Sequence, residues 1–110
     1  MVGKTEEELT DARIPYEIGI AHFKELSRAH IMAEEDGILK LLFDPETRKI
    51  LGIHIIGPHA AEMIHLGHSV MYYEGTINYF MNTVFNSPTL DEAYRVAAFN
   101  GMYRLDHESL

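Results

Sequence analysis

The sequence predicts an α+β domain, an antiparallel sheet of about three to five strands covered by C-terminal helices. Three observations carry this. Apolar alternation with period two occupies 16–23, 38–43 and 50–56, all in the first half. Helical periodicity occupies 60–71 and 90–101, in the second half. Between two of the strand segments stands Asp44-Pro45-Glu46-Thr47-Arg48, a short polar connection with Pro45 suited to position i+1 of a turn. Strands joined so closely pair antiparallel.

The elements follow in order. Thr5-Glu6-Glu7-Glu8 is a capping box, with Thr5 at N-cap and Glu8 at N3. Glu6 and Glu7 then sit at the positive end of the helix dipole. The helix is expected to run to about Arg13, with Pro15 blocking its continuation. Gly3 implies entry from a strand or turn. From Tyr16, residues Tyr16, Ile18, Ile20 and His22 face one way, and Glu17, Gly19, Ala21 and Phe23 the other. Ser27 to Met32 reads as a further strand, and Glu34-Glu35-Asp36-Gly37 as a turn. Ile38 to Phe43 and Ile50 to Ile56 form a hairpin, with Leu39, Leu41 and Phe43 on one face. Gly57-Pro58 ends the sheet and opens a helix whose apolar face is Ala60, Met63, Ile64, Gly67, Val70 and Met71. Glu74-Gly75 ends that helix, and Thr76 caps a short one from Ile77 to about Thr83. Asn86-Ser87-Pro88-Thr89 is a loop. Thr89-Leu90-Asp91-Glu92 is a second capping box, opening a helix to about Leu105 with Leu90, Ala93, Tyr94, Ala97 and Gly101 on its apolar face.

Composition excludes several function classes. A chain of 110 residues makes one domain. Its 17 acidic residues outnumber 9 basic ones, for a formal charge of −8. Nucleic-acid binding and docking on an anionic membrane both need clustered Lys and Arg, so neither is expected. With no cysteine, the chain carries no disulfide, Cys-ligated metal or Cys nucleophile. Neither a bilayer-length apolar run nor a signal-peptide region is present, and a cytoplasmic location is expected.

Few residues suggest chemistry. Glu62, His65 and His68 recur at i, i+3, i+6 on the 58–73 helix, and Glu62-x-x-His65 has the spacing of a di-iron pair. A di-iron site needs two such motifs, and one is present. A polar helix face at a contact is therefore the expected reading, with no metal. His54, among isoleucines, reads as core or sheet-face packing, with its ring N–H bonded to a carbonyl. The 58–73 helix has a second usable face, Ala61, His65, His68 and Tyr72. With the aromatics Tyr72, Tyr73, Tyr79 and Phe80, it suggests a protein–protein surface. No glycine-rich phosphate loop occurs, and no complete active site is legible.

At Ser87-Pro88-Thr89-Leu90-Asp91-Glu92 the sequence becomes similar to the end of the pyridine nucleotide–disulfide oxidoreductase flavoproteins, where Pro-Thr-x-x-Glu opens the last helix. Val2-Gly3-Lys4-Thr5-Glu6-Glu7-Glu8 resembles the family's Val-Gly-x-Thr-Glu segment. Leu39–Asp44 and Gly52–Gly57 resemble its central hairpin, and Ala61-Glu62-Met63-Ile64-His65 its interface helix. The likeness runs in order from about residue 2 to 105. It implies that residues 1–110 are the dimerisation (interface) domain. The FAD and NAD(P) domains would precede it and its own first strand would end near Val2, so the chain is expected to be a fragment lacking those domains and that strand. It implies a homodimer with FAD and NAD(P) as the parent's cofactors. Neither is expected to bind tightly to this chain alone, which lacks a phosphate loop. The implied dimer interface is Met63, Ile64, His65, His68, Tyr72, Asn86 and Pro88. The implied flavin contact is the backbone of Ser87 and Pro88, against the partner's isoalloxazine edge.

One departure is informative. The family's disulfide reductases place a catalytic His before that Pro, paired with the Glu five positions on. Here Ser87 and Glu92 occupy the two positions. A serine cannot serve as the imidazole acid–base that protonates a departing thiolate. The resemblance therefore points to a branch that passes hydride between NADPH and NAD through flavin, which needs no thiol. The alternatives are a free-standing dimeric protein-binding module, or the tail of another flavin-dependent dehydrogenase or reductase.

Overall fold

A computed structural model describes residues 1–23, 37–57, 60–82 and 92–108, the side chains of 60–63 and 108 excepted. Its elements are β1 (Val2–Gly3), α1 (Glu6–Asp11), β2 (Glu17–His22), β3 (Ile38–Phe43), β4 (Ile50–Ile56), α2 (Ala60–Tyr72), α3 (Ile77–Asn82) and α4 (Glu92–Glu108). The strands form one antiparallel sheet in the order β1-β4-β3-β2. The α+β expectation stands. The strand expected at Ser27 to Met32 and the acidic turn before Gly37 lie outside the described residues.

The hairpin is built as its turn chemistry requires. Asp44 Oδ1 accepts from the backbone N–H groups of Glu46 and Thr47, at 2.7 and 2.9 Å. Arg48 takes φ +64 and donates its N–H to the Asp44 carbonyl at 2.8 Å. These bonds, the Thr47 one first, hold the Asp44 carboxyl below the usual carboxylate range. The loop after α2 is fastened to this hairpin: Ile50 N–H donates to Gly75 O and Ile77 N–H to Arg48 O, at 3.1 and 3.0 Å.

One face of the sheet carries the core. Leu39, Leu41, Phe43, Ile53 and Ala21 are fully buried there, against Ala93, Tyr94, Ala97 and Ala98 of α4 and Ile77 and Phe80 of α3. Each buried Leu, Ile or Phe contributes about 2 kcal/mol. The partly exposed ion pair between Lys40 and Glu6 adds about 1 kcal/mol or less, so apolar burial decides the packing. That pair joins α1 to the opposite sheet face, where Leu9 is buried apart from the main cluster. The capping box forms as expected: Glu8 N–H donates to Thr5 Oγ1 and Thr5 N–H to Glu8 Oε1, at 3.1 and 3.3 Å. On the same outer face as Lys40, His54 Nε2–H donates to the Lys4 carbonyl at 3.3 Å, the role expected of it.

Helix α4 lies across β2 and β3 at unusually short range. A Cβ at Gly19 would stand 2.1 Å from the Ala97 carbonyl oxygen, and one at Gly101 would stand 2.5 Å from Phe43 Cε1. Only glycine fits at both positions. The alternation in β2 was legible, and the close approach of α4 decides which face is buried: Glu17, Gly19, Ala21 and Phe23 point inward.

Candidate self-association surface

Helix α2 separates two faces, as its sequence predicts. Ile64, Val70 and Met71 are half-buried against the core, and Gly67 is buried. His65, His68 and Tyr72 point outward, Tyr72 being 76% exposed. Of the residues expected at a dimer interface, Ile64 thus sits on the core side. The Met63 side chain, Asn86, Ser87 and Pro88 lie outside the described residues. So does the Glu62 side chain, and among the described residues no three His, Cys, Asp or Glu gather where one metal ion could be held.

The inward face is pinned by an aromatic relay. Gly67 N–H donates to Tyr94 Oη at 3.2 Å. Tyr94 stacks on Phe80 with centroids 4.7 Å apart and planes at 23°. Phe80 in turn meets Tyr79 edge-on at 5.6 Å. Phe80 is therefore core, while Tyr79, its neighbour, is half exposed.

Helix α2 ends in a Schellman motif. Gly75 N–H reaches the Val70 carbonyl at 2.8 Å and Glu74 N–H the Met71 carbonyl at 2.9 Å, with Glu74 at φ +56. The turn brings Tyr73 and Tyr79 to one apolar groove. Leu66, Ser69, Val70, Tyr73, Gly75 and Tyr79 line its volume of about 250 Å³. A neighbouring, more polar groove lies between His68, Ser69, Tyr72 and Tyr73. Tyr72 and Tyr73 touch edge-on at 5.1 Å and are the most exposed aromatics among the described residues. Contiguous exposed apolar surface rich in tyrosine marks a protein contact rather than a reaction centre. Sequence reading missed the part played by Leu66 and Ser69; the signal was their i, i+3, i+7 spacing with Tyr73.

This fold, with its outward tyrosine face, is that of a dimerisation domain. The chain belongs to the pyridine nucleotide–disulphide oxidoreductase dimerisation-domain family, whose model matches residues 1–98. Over 107 residues it is 57% identical to the soluble pyridine nucleotide transhydrogenase of Marinobacter nauticus, covering 94% of this chain and 23% of that protein. The same-named protein of Sodalis glossinidius is 58% identical over the same length. The chain thus spans about a quarter of the length of the curated relatives it matches. Among solved structures, the HOCl-induced flavoprotein disulfide reductase RclA of Escherichia coli superposes with a TM-score of 0.83 at 23% identity, covering 89% of this chain and 22% of its own. A water-forming NADH oxidase of Lactobacillus brevis gives 0.80 at 18% identity, covering 98% and 25%. Both likenesses show the shared fold.

Proposed function

We propose that the chain serves as the dimerisation domain of a cytoplasmic, homodimeric, FAD-dependent soluble pyridine nucleotide transhydrogenase. The observation that carries this is the 57% identity to proteins of that name over nearly the whole chain. The absence of a histidine before Pro88 supports it, since hydride exchange between NADPH and NAD needs no thiol acid. In the parent, flavin supplies the two-electron relay when bound. This chain's part is to join two subunits and to close one wall of the flavin site, with the Ser87 and Pro88 backbone as the contact. Neither phosphate-binding fingerprint occurs in the sequence, so the chain has no cradle of its own for a dinucleotide pyrophosphate. The contact between subunits is assigned to His65, His68 and Tyr72, with Met63, Asn86 and Pro88 completing it.

A segment exchange tests this. The matching segment of the Marinobacter nauticus transhydrogenase is replaced by this chain. The chimera is expected to be a yellow dimer that transfers hydride from NADPH to NAD. A folded chimera that is monomeric or without flavin would overturn the reading and favour the free-standing binding module.

A further inference from the structure

Among the described residues strand β2 is an edge of the sheet, and the side turned away from β3 should offer backbone groups to any passing strand. The parity of its hydrogen bonds shows which groups those are. Phe23 N–H donates toward the β3 side, to Gly37 O at 3.1 Å. The N–H groups of opposite parity, those of Ile18, Ile20 and His22, point away from β3. The first two are already taken by side-chain oxygens. Ile18 N–H donates to Glu17 Oε1 at 3.0 Å, and Ile20 N–H donates to Asn100 Oδ1 of α4 at 2.9 Å. Glu17 is 7% exposed and is the one buried charged residue among the described residues. An ionisable group turned inward on an edge strand, beside an amide brought by a covering helix, is otherwise hard to explain in this apolar layer.

We propose that Glu17 and Asn100 form an edge lock that closes β2 to strand addition by a second copy of the chain. Self-association is then confined to the helical face. The physical need is plain for a domain that pairs. A two-fold contact closes on itself, whereas pairing of β2 with the opposite sheet edge of another copy would build an open-ended row of sheets. The glycines at 19 and 101 serve the same end, because only their close approach lets Asn100 reach the strand. The lock is independent of the parent enzyme's activity.

Two measurements on the full chain test it. In the unaltered chain, the Ile18 and Ile20 amides should exchange with deuterium as slowly as Leu41, which lies within the sheet. Exchange as fast as in a solvated loop would overturn the lock, and this comparison stands even if a variant fails to fold. In the double variant Glu17→Leu, Asn100→Ala, exchange at Ile18 and Ile20 should quicken about tenfold. Light scattering should show species that grow with concentration. Glu17→Gln and Asn100→Asp keep the acceptor oxygens and should match the unaltered chain. A folded double variant with unchanged size and exchange would contradict the proposal.

Discussion

Asp44 shows how much one side chain can organise. Its carboxylate accepts two backbone N–H groups, which shape the β3–β4 turn. Replacement by Ala should destabilise the fold by about 1 kcal/mol, as measured by chemical unfolding. Because folding lowers this pKa, the contribution is fully present above the unfolded value and fades as pH falls through the folded one. The stability gap between the parent and Asp44→Ala should therefore be constant above about pH 4 and close below it. Glu74 makes the converse case. Its left-handed backbone is unfavourable for a residue with a Cβ, and its 3.9 Å ion pair with Lys49 is too exposed to offset that. Glu74→Gly should raise stability by up to about 1 kcal/mol in the same assay. At this scale the sequence was half legible. Glu74-Gly75 marked the helix end, yet the strained residue is Glu74; Gly75 is required because a Cβ there would meet Val70 Cγ1 at 2.4 Å. Local propensity alone cannot separate those two roles.

The elements were legible where periodicity and capping agree. The capping box at Thr5, the Leu39–Leu41–Phe43 face and the two faces of α2 all follow from residue spacing. What spacing could not reveal is which face of β2 meets the helices. That face carries a glycine and a glutamate, while isoleucines occupy the other. Contact between two backbones, at Gly19 and Ala97, overrides side-chain hydrophobicity there. Gly19→Ala should accordingly cost about 3 kcal/mol or more, since the obstructing atom is a carbonyl that cannot rotate away. Phe80→Ala, which removes the stack under Tyr94, should cost about 3–5 kcal/mol. Thermal unfolding of the two variants checks both figures.

For the whole molecule, the surface matters more than any single site. The outward tyrosines and the groove beside them are the features of this domain best suited to a second subunit. Tyr72→Asp should yield a folded monomer on sedimentation, whereas Ile64→Asp should lose the fold, because Ile64 packs inward. The sequence pointed to the outward face of α2, but it could not show that Tyr79 comes from α3 to complete the groove. That meeting depends on the tight turn at Glu74 and Gly75, a tertiary event without a pattern of its own. The central claim is that this domain joins the subunits of a flavoenzyme. The most direct test is to purify the native protein from source cells with an antibody raised against this chain, then record its polypeptide mass and visible spectrum. A yellow protein whose polypeptide is several times larger than 12.6 kDa is the predicted result. A colourless protein of 12.6 kDa would contradict it.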